Sequence, residues 1–314
     1  ELSVDKLQAL MQNTDWYTLY IQPADLEFND FGKDVQRWED ITIALLRGYI
    51  DRSYKYAKGH WESQFMETVW LDPNNPNFFN EYNVEVRNDQ VAWIEKLKEL
   101  REQTISGNLE QDFQIYSNWI KAIKFDQHLY LPLLCLRDRD DKGRKILQDK
   151  DTNEPLVKIS PVALNVGETT FVQDVRKYYY AHKDDTLKGK EVCLLRNESR
   201  KGIGFFEANN FYPDFILWIN DGEKQCVTFL DPKGIRNLKG LEDPKIKLYE
   251  LLKNEIEPRL NDENIILDSF ILSNTEYKDI SFWRNYRRED FDENHVLFVR
   301  EDKYIDELFG KLII

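Results

Sequence analysis

Apolar residues in the first third of the chain recur at spacings of three and four. Val35, Trp38, Ile41, Leu45 and Tyr49 form one stripe along DVQRWEDITIALLRGYIDRSY, and Val91, Ile94, Leu97 and Leu100 form another. These stripes predict two amphipathic helices, and Phe113, Tyr116, Ile120 and Ile123 predict a third by the same spacing. LDPNNPNFFNEYN (71–83) carries the Pro and Asn cluster of a loop. Residues 1–136 therefore read as a mostly α-helical domain. RDRDDKGRKILQDKDTNEP (137–155) is charged, with little apolar periodicity. It predicts an exposed connection or a β-hairpin excursion, and with it a domain boundary.

Beyond the boundary the pattern alternates between helix and strand. GETTFVQDVRKYYYAH (167–182) reads as a helix with Glu168 near its start and Phe171, Val175 and Tyr178 on one face. EVCLLRN (191–197), IGFFEA (203–208), DFILWI (214–219) and CVTFLD (226–231) are short apolar runs of strand type, and the NDG at 220–222 joins the last two as a hairpin. A helix at about 241–257, strands at 265–273 and 295–299 and a helix around 304–309 follow. Residues 156–314 are expected to be one α/β domain.

Charge and composition narrow the function. The chain has 314 residues, enough for two domains with cores of their own, and 57 acidic against 43 basic side chains give a net charge of −14. Up to position 150 there are 19 basic and 26 acidic residues, and beyond it 24 and 31, so the acidity is not a tail. Such a chain does not hold nucleic acid by bulk positive charge, and weak, salt-sensitive DNA binding is the most it is expected to show by itself. No apolar run approaches the length of a membrane span, and residues 1–20 lack a secretory apolar core, so the expected place is the cytoplasm, away from membranes. Cys135, Cys193 and Cys226 lie far apart in apolar stretches, as reduced thiols do, and the four histidines form no HExxH or HxH pattern. Neither GxxxxGK[ST] nor GxGxxG occurs, which excludes a self-contained P-loop ATPase or dinucleotide enzyme. Trp16, Trp38, Trp61 and Trp70 read first as core residues and second as a base-stacking surface.

The stretch NFYPDFILWINDGEKQCVTFLDPKG (210–234) carries the candidate chemistry. Asp214 opens one strand, Asp231 ends the next, and Lys233 follows at the two-residue strand period. A hairpin between the strands brings both carboxylates to one end of the sheet. Hard cations such as Mg²⁺ choose carboxylate and carbonyl oxygens, which makes Asp214, Asp231 and the carbonyl of Pro232 suitable ligands. Lys233 would then position a water or stabilise charge on a phosphate. Pro-Asp occurs once in the chain, whereas [DE]xK recurs at Asp140, Asp243 and Glu301 among other places, so position selects Asp231. The same residues also suit ordinary strand ends and turns, where Asp-Pro and Lys-Gly are favourable.

The order helix with an early Glu, strands, PD, hairpin, D-x-K-G and helix resembles the PD-(D/E)xK nuclease fold, a mixed sheet flanked by helices. KISPVALNVGETTFVQDV, YPDF and DPKG are similar, more narrowly, to the C-terminal endonuclease region of type III restriction enzyme Res subunits and related helicase-nucleases, over about residues 155–275. QRWEDITIALLRGYIDRSYKYAKGHWE is more faintly similar to the helical region that follows their motor domains. The resemblance implies a divalent-metal-dependent DNA endonuclease of the restriction or defence type. It would use Mg²⁺, with Mn²⁺ able to substitute. Its ATPase/helicase motor would lie N-terminal to Glu1, and a modification or specificity subunit would be a further partner.

On these residues the resemblance implies Asp214 and Asp231 as metal ligands, Lys233 as the catalytic lysine and Glu168 as the acidic residue completing the site. Two departures stand: the position often held by Glu is Asp231, and Pro232 lacks the N–H of a ladder residue. Glu168 is equally suited to a helix N-terminus by charge alone. Glu207 is its rival as the third carboxylate, with Gln173 and Asp174 further along the helix. Lys245 and Lys247, and Arg284, Arg287 and Arg288 of RNYRR, are candidates for DNA phosphate contact. Their other reading is a solvated helix face and a counterweight to the acidic run EDFDEN. A noncatalytic DNA-clamping or assembly module with the same fold is the alternative function.

Overall fold

The computed structural model describes residues 21–63, 81–109, 112–130, 132–198, 202–205, 211–238, 240–280 and 286–313, and of 51–63 the backbone only. The chain divides into two compact units, Glu1–Thr68 with Phe205–Asn210, and Val69–Gly204 with Phe211–Ile314. The first contains helix α1 (Phe31–Ser63), as the first stripe predicts. Asp34 is buried near its start, where it accepts the N–H groups of Asn29 and Asp30 at 2.5 Å and pairs with Arg37 at 2.8 Å. That satisfies donors a helix start leaves open. Val35 and Trp38 of the stripe are 43% exposed, not core. Trp16, Trp61 and Trp70 lie outside the described side chains.

In the second unit β1 (Asn83–Val86) is followed by α2 (Val91–Ile105), the helix of the second stripe, which buries Trp93 and Leu100. The third stripe is not a helix. Phe113–Tyr116 and Ile120–Ile123 are strands β2 and β3, antiparallel to each other, and β3 pairs with β4 (Leu133–Leu136). Ser117 turns between β2 and β3 at φ 46°. The Ser-Asn pair there is a turn signal, and it overrides a 3–4 spacing that two-residue alternation through Ile115 and Ala122 satisfies as well. Among the described residues, the first 136 therefore do not form one helical domain, since they divide between the two units and include β1 to β4. The expected boundary falls inside the second unit, because β5 (Val157–Ser160) returns to pair with β1 from the other side of it. Residues 137–155 form an excursion closed by bridges between Arg139 and Lys145 and between Gln148 and Pro155.

Helix α3 (Val166–His182) then leads into a five-stranded mixed sheet. Its strands are β6 (Glu191–Arg196), β7 (Phe215–Asn220), β8 (Gln225–Lys233), β9 (Ile265–Ser273) and β10 (Val296–Phe298), in the order β10-β9-β8-β7-β6. β6, β7 and β8 run antiparallel, whereas β8, β9 and β10 are parallel. The 220–222 turn has the expected form, with Gly222 at φ 93°, a conformation open to glycine without a Cβ penalty. Gly204 is at the foot of 203–208 without strand pairing of its own, and 206–208 lie outside the described residues. The helix expected at 241–257 is shorter: α4 (Leu248–Leu251) runs into a π turn (Leu252–Ile256) and a 3₁₀ turn (Glu257–Leu260). Asp243 and Pro244 precede it in turns. α5 (Arg288–Glu293) precedes β10, and α6 (Tyr304–Leu312) follows it. Tyr178 of α3 stacks on Phe309 of α6 at 4.1 Å, and Phe171 packs on Phe215, so both helices share a core with the sheet. The unit is a mixed α/β arrangement with sheets flanked by helices. Among the described residues, no helix is long and apolar enough to cross a membrane.

Candidate active site

Strand pairing brings the site together at one end of the five-stranded sheet. The β7–β8 ladder ends with Phe215 opposite Leu230, so the next step sets Asp214 beside Asp231. Their carboxyl groups lie close enough for the charge of Asp231 to act on Asp214. Burial, then the charge of Asp231, then that of Glu168 push the Asp214 carboxyl up to about 8, against the pull of Lys233. Lys233, on the same side of β8 as Asp231 by the strand period, forms an ion pair with Asp231 Oδ2.

Pro232 fits inside β8 for a geometric reason. Lys233 turns its carbonyl to the β9 side, where it accepts the N–H of Asn274 at 2.9 Å. Neighbouring Pro232 therefore faces the β7 side, beyond the last β7 pair, where no ladder donor is needed. Its carbonyl is directed to that side as well.

Glu168 reaches the site from the first turn of α3. Asn165 caps the helix through a reciprocal box: Glu168 N–H donates to Asn165 Oδ1 at 3.0 Å, and Asn165 N–H donates to Glu168 Oε2 at 2.9 Å. The same Oε2 accepts from Arg196 Nη2 at 3.2 Å, and Glu168 is 7% exposed. The helix-start reading of this residue holds, since it caps α3, and its charge is felt at Asp214. Gly167 allows the close approach, because a Cβ there would lie 2.4 Å from Asn274 Nδ2.

Other expected residues divide. Lys245 Nζ lies 5.3 Å from the ring centre of Phe211, and Lys233 Nζ lies 4.5 Å from the same ring, so Lys245 is brought to the site. Lys247 is engaged with Glu250 at 2.7 Å and Asn294 at 2.9 Å. Arg287 pairs with Asp290, and Arg288 pairs with Asp292 and Glu301 at 2.6 Å each, so within the described residues these two arginines balance neighbouring carboxylates. Asp174 accepts the Tyr304 hydroxyl at 2.5 Å and ties α3 to α6 instead of joining the site. Arg284 and Glu207 lie outside the described residues.

Three contributors were missed in the sequence. Asn197 bonds the Pro213 carbonyl at 2.8 Å through its side chain and the Asp214 carbonyl at 2.8 Å through its N–H, which fixes the start of β7. Arg196, the residue before it, engages Glu168. His128 accepts the Arg196 N–H on Nε2 at 2.9 Å and donates from Nδ1 to the Tyr130 carbonyl at 2.8 Å. Complete burial holds the His128 imidazole neutral, down to about 3. A signal for Arg196 and Asn197 was present: two polar residues end the apolar run EVCLL beside the PD strand. His128 is seated by non-local bridging of 127–129 to Leu194 and gave none.

The donor chemistry suits a hard divalent cation. Two carboxylates held side by side in a largely buried place gain from a cation that offsets their repulsion. Among the described residues, no three His, Cys, Asp or Glu side chains gather as a metal-holding group, so Asp214 and Asp231 are the side-chain pair and the Pro232 carbonyl is the backbone candidate. Compared with protein-family models, curated proteins and solved structures, the chain matches none of them.

Proposed function

We propose that this protein is a divalent-metal-dependent endonuclease of PD-(D/E)xK type that hydrolyses DNA phosphodiester bonds. The reading includes its place as the nuclease portion of a cytoplasmic restriction or defence helicase-nuclease, with the motor and a modification or specificity subunit as partners. The observation that carries it is the convergence of Asp214, Asp231 and Lys233 at one strand end, with the carboxyl of Asp214 raised by its neighbours. Asp214, Asp231 and the Pro232 carbonyl would hold Mg²⁺ or Mn²⁺. When bound, the metal would polarise the scissile phosphate and lower the pKa of a water. The chain's own residues do the rest: Lys233 presents a cation where charge builds on the phosphate, and Lys245 beside Phe211 adds a second positive charge at the rim.

Plasmid cleavage with Mg²⁺ or Mn²⁺ tests the reading, comparing the wild type with Asp214→Ala and Lys233→Ala. Loss of cutting in both variants, with the fold intact by circular dichroism, is expected. Equal cutting by all three defeats the assignment. The noncatalytic clamping or assembly module is favoured by one observation, the lack of a three-carboxylate group among the described residues. Calorimetry separates the two, since such a module takes up no Mn²⁺ through Asp214 and Asp231.

A further inference from the structure

Arg196 pairs with Glu168 at 3.2 Å, and its placement is fixed from three sides. Its backbone N–H is held by the buried, neutral His128. One guanidinium nitrogen donates to the Val162 carbonyl, and the other reaches Glu168 Oε2 at 3.2 Å. Both side chains of the pair are about a tenth exposed or less, at 12% and 9%. The strap 127–129 adds to this: Leu129 N–H donates to the Leu194 carbonyl and Leu194 N–H to the Gln127 carbonyl, which covers the open edge of β6. Glu168 Oε2 thus has two donors, Asn165 N–H and Arg196, before any ligand arrives. Turning this carboxylate toward Asp214 would forfeit a helix cap and leave a buried guanidinium without its counter-charge.

We infer that Arg196 is a positioning residue that holds Glu168 outside the metal's ligand set, so that one divalent ion binds through Asp214 and Asp231 alone among the side chains. This rests on the metal reading of those two aspartates. Glu168 then acts by its charge and by keeping the start of α3 in place. Arg196 beside it offsets part of the negative charge that Glu168 adds at Asp214. Sequence resemblance implies Glu168 as a ligand, whereas its bonds to Asn165 and Arg196 give it a different role.

The experiment is a Mn²⁺ titration of the 314-residue chain by calorimetry, with electron paramagnetic resonance counting free ion. The wild type is expected to bind one Mn²⁺. Asp214→Asn is expected to weaken it by at least ~30-fold, as loss of a charged oxygen ligand does, and Glu168→Gln by less than about threefold. Arg196→Gln frees Glu168 and is expected to tighten Mn²⁺ by about tenfold, within the range of outer-sphere effects on metal sites. That gain should vanish in the double variant Arg196→Gln/Glu168→Gln, and Arg196→Lys should restore wild-type affinity to within about threefold. A Glu168→Gln variant as weak as Asp214→Asn overturns the inference and leaves the metal reading standing. So does a folded Arg196→Gln whose Mn²⁺ affinity is unchanged. If Arg196→Gln does not fold, the Glu168→Gln arm decides alone. Mn²⁺ binding indifferent to both Asp214 and Asp231 overturns the metal reading, and the inference with it.

Discussion

Two buried carboxylate centres lie on the same sheet, and they are wired differently. At the β7–β8 end, Asp231 is 4% exposed and lies beside Asp214, with Lys233 paired to Asp231 and Glu168 as a further negative neighbour of Asp214. On β9, Asp268 is 6% exposed, accepts the Ser269 N–H at 2.7 Å and His295 Nδ1 at 2.8 Å, and faces Lys253 at 3.7 Å. His295 is stacked between Tyr249 at 4.0 Å and Phe270 at 4.6 Å. Equal burial therefore says little about function. What separates the centres is how the carboxylates are partnered: Asp268 has two hydrogen-bond donors and Lys253 to itself, whereas Asp214 and Asp231 sit together with Lys233 as the cation paired to Asp231.

The largest expected difference is in activity. Under the proposed function, Asp231→Asn lowers Mg²⁺-dependent cleavage by on the order of 1,000-fold or more, since it removes a metal ligand and the partner of Lys233 together. Asp268→Asn leaves cleavage within about twofold, because its described partners Ser269, His295 and Lys253 are not residues of the site. Initial rates of plasmid nicking measure both. Comparable losses from the two substitutions would erase the functional contrast between the centres.

Stability should run the other way. Asp268→Asn leaves His295 and Lys253 without a matched carboxylate and is expected to cost about 2–3 kcal/mol in urea unfolding. Asp214→Asn relieves like-charge repulsion and is expected to stabilise the metal-free protein by about 1–2 kcal/mol near pH 8.5. The sign follows from linkage. Asp214 has its folded value raised from 3.8 to about 8, so the folded state binds more protons than the unfolded one between those values. Wild-type stability is then lost as pH rises from about 4 to 8, and the gain from Asn grows over the same window. Millimolar Mn²⁺ should close the gap by stabilising the wild type alone. A melting-temperature difference that does not change between pH 5 and 8.5 would contradict the charge argument.

His128 offers a pH response of opposite sign in the same unit. Its folded value is depressed from 6.5 to about 3, so on acidification the unfolded chain takes up a proton the folded chain refuses. Stability should fall below about pH 6.5, with a slope approaching ~1.4 kcal/mol per pH unit from this group. His128→Gln, followed by urea unfolding from pH 7 to 4.5, should flatten that part of the profile. An unchanged slope would show that the imidazole is not held neutral.

The contrast also marks what could be read in advance. β6 to β9, the 220–222 hairpin and the placement of Asp214, Asp231 and Lys233 follow from local apolar runs and one turn, so they were visible in the residues. The strands at 113–123 were not, because a short segment with a central turn satisfies helical and strand spacing together. Arg196 and Asn197 lie in plain sight but acquire meaning only through partners 28 and 16 positions away, Glu168 and Pro213. His295 and Asp268 illustrate the reverse case, an attractive pair whose hydrogen bonds are already made. Sequence spacing locates carboxylates, whereas the count of partners around each depends on non-local packing.

The smallest effect concerns two lysines separated by one residue. Lys247 is engaged with Glu250 and Asn294, whereas Lys245 lies against the ring that also receives Lys233. If DNA crosses the site, its phosphates meet Lys245 first. Lys245→Gln should weaken binding to a short duplex by a few-fold at 50 mM salt and lower the slope of log K against log salt by about 1, as loss of one phosphate contact does. Lys247→Gln should leave both unchanged, because its cation is neutralised within the protein. Fluorescence anisotropy over a salt series with an inactive Asp231→Asn background reads the two directly. Equal slopes for both variants would mean that DNA does not approach over Phe211, and the duplex would have to be placed on another side of the strand end.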